Sequence, residues 1–194
     1  WQVQKNGETI ESVLNRAIGE LTGEEIHVMG SSRTDAGVHA CGNVAVFDTE
    51  ARMAADKFSY ALNQRLPEDI RIQDSCEVPA DFHPRFQKTV KTYEYRILNR
   101  EFPLPAYRFN SHFTYRKLDV ERMRQAAAYL IGEHDFQSFC AAGAQVKTTV
   151  RTIYALDVEK QGDLIILRIT GNGFLYNMVR IIAGTLMKIG QGDW

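Results

Sequence analysis

The stretch TIYALDVEKQGDLIILRIT, residues 152–170, is two strand-forming runs broken only at Gln161-Gly162-Asp163. So short a polar break containing glycine closes two such runs as a hairpin, so the sheet must be antiparallel at least here. KTVKTYEYRIL, residues 88–98, alternates in the manner of a strand: Val90, Thr92, Glu94 and Arg96 fall on one face, and Lys91, Tyr93, Tyr95 and Ile97 on the other. EEIHVMG and GNVAVFDTE read as two more strands, and DIRIQDSCEV as another after Pro67. Helical spacing places Ile10, Val13, Leu14, Ala17, Ile18 and Leu21 on one stripe, after a possible Thr9 cap and before Gly23. Further helices are expected from about Ala51 to Gln64, from an Asp119 cap to about Ile131, and from about Leu175 to Ile189. Strands outnumber helices without strict alternation, so the expected fold class is α+β, helices flanking a mainly antiparallel sheet. We expect two subdomains, 1–82 and 83–194, sharing a continuous sheet.

Composition places the chain among soluble globular proteins: of its 194 residues 44% are apolar and 24% charged, and no apolar run nears the ~20 residues that cross a membrane. With no charged-then-apolar leader at its start, the expected location is the cytoplasm. Cys41, Cys76 and Cys140 form no C-x-x-C pair, which argues against a disulfide framework or a zinc site. The histidines lack the short spacings of metal ligands.

Charge is unevenly spread. Residues 83–117 carry eight basic side chains, Arg85, Lys88 and Lys91 among them, against two acidic ones, interleaved with eight aromatics. Cations attract phosphates and aromatic faces stack on unpaired bases, which suits a nucleic acid; a pair of strands with one wet face would produce the same composition.

Two charges stand out. The last helix, GFLYNMVRIIAGTLMKIG, is apolar around nearly its whole circumference, with Arg180 in its middle. Its guanidinium must either meet an anion or carbonyl groups, or reach the edge of the apolar layer. Asp35 lies in a loop bounded by Gly30, Gly37 and Gly42, beside Arg33, with a strand expected on either side. The carboxylate either bonds backbone amides in an Asx turn or pairs with Arg180, which would satisfy both charges and keep Asp35 ionised, as a nucleophile or base must be.

Three segments, SRTDAGVHA, FHPRF followed by KTYEYRI, and GNGFLYNMVRIIAGTL, in that order and spacing resemble the tRNA pseudouridine synthase A family. The resemblance implies a pseudouridine synthase fold and isomerisation of uridine to pseudouridine at positions 38–40 of the tRNA anticodon stem-loop, by a homodimer without cofactor or metal. It also implies Asp35 as the catalytic residue, Arg33 in RNA contact and handling of the flipped nucleotide, Tyr93 against the target base, and Arg180 paired with Asp35. Arg85, Lys88 and Lys91 are expected to contact RNA. Ser32 stands where the family usually has Gly, and the family's first strand and its closing helix and strand fall outside this sequence, which resembles an internal portion of a longer protein. Two rival readings are a catalytically inactive tRNA-binding fragment and a hydrolase or nuclease using Asp35 and Asp48 with a divalent metal.

Overall fold

The computed structural model describes residues 1–144 and 146–194 and divides into two compact units, Trp1–Gln87 and Lys88–Trp194.

The first unit starts its helical part at α1, Ile10–Thr22. Thr9 and Ser12 cap it reciprocally, side chain to backbone, and Gly23 ends it in a left-handed conformation. Val13, Leu14, Ala17 and Ile18 are its buried stripe, packed with Ile26, Val28, Phe58, Leu62 and Leu66 in one core. Strands β1, Met29–Gly30, and β2, Ala45–Val46, pair antiparallel and are only two residues each. The expected second helix is shorter than its pattern: a 3-10 turn at Ala55–Lys57 leads into α2, Phe58–Asn63.

DIRIQDSCEV is not a strand, contrary to expectation. Its backbone groups are taken by side chains instead of a neighbouring strand: Ile72 N donates to Asn63 Oδ1 at 2.8 Å, and Asn63 Nδ2 donates to the Ile72 carbonyl at 2.8 Å. Ser75 N donates to Asp74 Oδ1 at 2.8 Å, and the Ser75 hydroxyl anchors the segment by donating to the Ala55 carbonyl at 2.7 Å and accepting from Ser59 N at 2.9 Å. An extended chain whose donors and acceptors are satisfied this way has no need of a ladder.

The second unit contains β3, Lys91–Asn99; β4, His112–Thr114; α3, Val120–Ala128; β5, Gly132–Asp135; β6, Val150–Gln161; β7, Leu164–Gly171; and α4, Met178–Gly190. The strands form one sheet in the order β4-β3-β7-β6-β5, antiparallel except for the β3–β4 pair. The hairpin β6–β7 turns where the sequence places it. Asp119 caps α3 by accepting from Glu121 N and Arg122 N. One face of the sheet, with Ile97, Ile153, Val158, Ile165, Leu167 and Ile169, packs against Met123 and Ala127 of α3 and Met178, Ile182, Ala183 and Leu186 of α4. The other face is polar: Arg168 of β7 reaches Glu94 of β3 at 3.1 Å and Glu159 of β6 at 2.9 Å, and the hydroxyls of Thr92 and Thr170 lie 2.9 Å apart. The fold class is thus α+β with a mainly antiparallel sheet, as the sequence indicates.

Candidate active site

The loop between β1 and β2 carries Arg33 and Asp35 and is tied at its base. Ser31 N donates to the Val44 carbonyl at 2.8 Å and the Ser31 hydroxyl to Asn43 Oδ1 at 2.9 Å, continuing the two-stranded ladder beyond Gly30. The Trp1 backbone nitrogen donates to the Thr34 carbonyl at 3.1 Å, next to Asp35 itself. The Trp1 indole lies so close to Gly30 that a Cβ there would stand 2.5 Å from ring carbons. At the tip Val38 N donates to the Asp35 carbonyl at 3.2 Å, and Gly37 has φ +77°, the value a type II turn requires at its third residue and one only glycine adopts cheaply. Asp35 is therefore the first residue of a tight turn. Its side chain, like that of Arg33, is exposed. Arg85, also exposed, donates through Nε to the Gly30 carbonyl at 2.9 Å.

In the second unit Tyr93 and Tyr95 sit two residues apart on β3 and so share a face. Both are partly buried, and the Tyr93 ring meets Phe174 edge-on, centroids 5.1 Å apart and planes at 81°. Burial pushes the pKa of the Tyr95 hydroxyl above the ordinary tyrosine value, and the positive charge of Arg180 pulls it part of the way back. Arg180 thus lies within electrostatic reach of that face. Lys91, on the same face, is partly buried, and desolvation lowers its pKa. Lys88 is exposed.

The helix bearing Arg180 is less apolar around its circumference than its sequence suggests. Arg180 is exposed rather than embedded in apolar surroundings. On α4 the exposed positions are Arg180, Gly184 and Lys188, a stripe at i, i+4 and i+8, with Met178, Ile182, Ala183, Leu186 and Met187 buried elsewhere. Apolar residues flank that stripe closely enough to hide it in the sequence. Arg180 also occupies the first turn of α4, behind Asn177 in a left-handed conformation of φ 57°. The helix dipole is positive at that end, so a cation there gains nothing from the helix, whereas an anion approaching it meets both charges.

Among the described residues no three or more His, Cys, Asp or Glu side chains gather as metal ligands, and no helix is long and apolar enough to cross a membrane.

The first unit thus presents an exposed carboxylate on a glycine-closed turn, and the second a strand bearing tyrosines and basic residues. Comparison with known proteins identifies the class. The family model described as tRNA pseudouridine synthase matches residues 1–87 and 126–194. The tRNA pseudouridine synthase A of Acetivibrio thermocellus is 48% identical over 192 residues, 99% of this chain and 79% of that protein. Its namesakes from Ruminiclostridium cellulolyticum and Thermoanaerobacter pseudethanolicus are each 49% identical over 193 residues, with the same two shares. The chain belongs to the tRNA pseudouridine synthase family, whose members are isomerases converting uridine to pseudouridine in tRNA.

Proposed function

We propose that the protein isomerises uridine to pseudouridine at positions 38–40 of the tRNA anticodon stem-loop. The observation that supports this best is the family match, which includes the segment carrying Asp35 and the segment carrying Arg180. Near-half identity over 99% of the chain to proteins named tRNA pseudouridine synthase A points to the same substrate, and does not favour the inactive fragment.

The reaction breaks the bond from ribose C1′ to uracil N1, turns the detached ring and joins C1′ to C5. The hydrogen on C5 is lost, N1 gains one, and the product is an isomer of the substrate. The base must first leave its stack, which costs a few kcal/mol and is offset by contacts to the phosphates. In this reading Asp35 is the catalytic residue, exposed on its turn where a flipped nucleotide can reach it. Attack on C1′, attack on uracil C6 and removal of the 2′ hydrogen all need the carboxylate ionised. Arg180, at the positive end of α4, supplies the cation that pairs with Asp35 and keeps it charged. Tyr93, steadied edge-on by Phe174, offers the ring against which uracil turns. Arg33 handles the extruded nucleotide, while Arg85, Lys88 and Lys91 contact the RNA backbone.

No step in this scheme calls on a cofactor or metal. The working form is a homodimer with one tRNA spanning both subunits, in the cytoplasm, where tRNA is processed. Incubation with an unmodified anticodon stem-loop, followed by mapping of pseudouridine at each uridine, tests the proposal. Product at 38–40, undiminished by EDTA, is expected. Stoichiometric binding without product would return the chain to the inactive-fragment reading, and EDTA-sensitive strand cleavage to the metal hydrolase reading.

A further inference from the structure

The segment Phe82–Gln87 holds an aromatic side chain that the scheme above leaves unused. Phe86 is 81% exposed, a costly position for a phenyl ring, yet its orientation is fixed. Its ring stacks on the His83 imidazole, centroids 4.0 Å apart and planes within 22°. The backbone beneath is a closed turn: Phe86 N donates to the His83 carbonyl at 3.1 Å and Arg85 N to His83 Nδ1 at 3.2 Å. Pro84 is buried, which pins the turn to its unit. Arg85 ties the same turn to Gly30, the residue that leads into the Asp35 loop.

A flat apolar ring, backed on one face and open on the other, with a guanidinium beside it, suits a nucleobase. An aliphatic protein partner needs a broader apolar patch, and Phe86 has a cation one residue away and another two residues on. We propose that the open face of Phe86, supported by His83, is a stacking platform for an unpaired base of the anticodon loop, one that neighbours the uridine being isomerised. This inference rests on the RNA-isomerase reading. His83 and Phe86 are positioning residues: they hold a base beside the reacting one and touch none of the reacting atoms.

The test uses unmodified anticodon stem-loops in which 2-aminopurine replaces one loop nucleotide at a time, leaving the target uridine in place. With the wild-type protein, fluorescence at one loop position is quenched on binding, and Phe86→Ala abolishes the quench at that position alone. Phe86→Ala weakens binding about 5- to 100-fold, the loss of one base–aromatic stack, while the slope of log affinity against log salt stays put because no phosphate contact is lost. Phe86→Trp restores both signals, and all variants melt at the wild-type temperature, as an exposed ring predicts. Wild-type affinity and quenching in Phe86→Ala would overturn the platform, as would a change in sedimentation showing that Phe86 packs against protein instead. A wild-type protein that binds and quenches without making pseudouridine would sink the isomerase reading and leave the platform standing. Normal turnover together with an indifferent Phe86→Ala would do the reverse.

Discussion

The guanidinium of Arg85 and the carbonyl of Gly30 are joined by a 2.9 Å hydrogen bond across 55 positions of sequence. The bond fastens the segment after Pro84 to the strand from which the Asp35 loop springs. Arg85 can still direct its remaining N–H groups at a phosphate, since Nε alone is spent on Gly30. Arg85→Met is therefore expected to lower stability by about 1 kcal/mol, a partly exposed charge-assisted bond lost. It should reduce the salt slope of tRNA binding by less than about one phosphate contact. Urea unfolding and filter binding across a salt series measure the two effects, and a full one-contact loss with unchanged stability would show the arginine working on RNA alone.

Gly30→Ala should act on the loop from beneath. A methyl group there has to displace the Trp1 indole, which ring atoms at 2.5 Å leave no room to avoid. A cost of about 1–3 kcal/mol is expected, typical of forcing atoms into packed space. Because the Trp1 backbone also holds Thr34, pseudouridine formation should fall as well. Unfolding followed by tryptophan fluorescence reads the first effect and single-turnover product formation the second.

Asp35→Asn and Arg180→Met should separate chemistry from stability. The first is expected to abolish product while tRNA affinity stays within about threefold, since the amide keeps the shape and loses the charge. The second should also cost at least about a hundredfold in turnover but less than about 1 kcal/mol in stability, because Arg180 is exposed and no buried charge is abandoned. A large stability loss in Arg180→Met would show a structural role for the arginine, and preserved turnover in Asp35→Asn would take the carboxylate out of the mechanism.

Acid should act on the polar face of the sheet. A hydrogen bond from Arg96 at 2.6 Å holds the Glu94 carboxyl below the usual glutamate range, with Arg168 helping and partial burial working against both. A group whose folded pKa is depressed adds stability above its unfolded value, near 4.5, and loses it as pH falls through the folded value. Glu94→Gln should therefore cost up to about 1 kcal/mol at neutral pH and little in strong acid, where the wild-type carboxyl is itself protonated. Paired urea titrations at several pH values check the convergence, and a pH-independent gap would assign the loss to packing.

Much of the fold was legible because local chemistry and tertiary structure agree. Thr9, the stripe from Ile10 to Ile18 and Gly23 define α1 by themselves, and the alternation from Lys91 to Ile97 survives in the burial of β3. The segment from Asp69 to Val78 misled because its alternation is real while its hydrogen bonds go to Asn63 and Ser59, partners that no local pattern announces. Strands β4 and β5, of three and four residues, carry too few positions to show a period and exist through their neighbours. At the site, the glycine-bounded Asp35 turn was plain in sequence. The sequence leaves the setting of Arg180 open because the exposed stripe of α4 includes Gly184, which counts with the apolar residues although it covers nothing.

The strand order has a consequence during synthesis. β3 leaves the ribosome early, yet its long antiparallel partner is β7, so Thr92 waits 78 residues for Thr170. At about 5–20 residues per second that is roughly 4–16 s in which the tyrosine-bearing stretch waits without its ladder, since β4 pairs only with Ile97–Asn99 at the far end of β3. The nascent chain is thus most vulnerable to sticking to its neighbours at the strand that carries Tyr93, and it closes that window when the last hairpin folds back upon it.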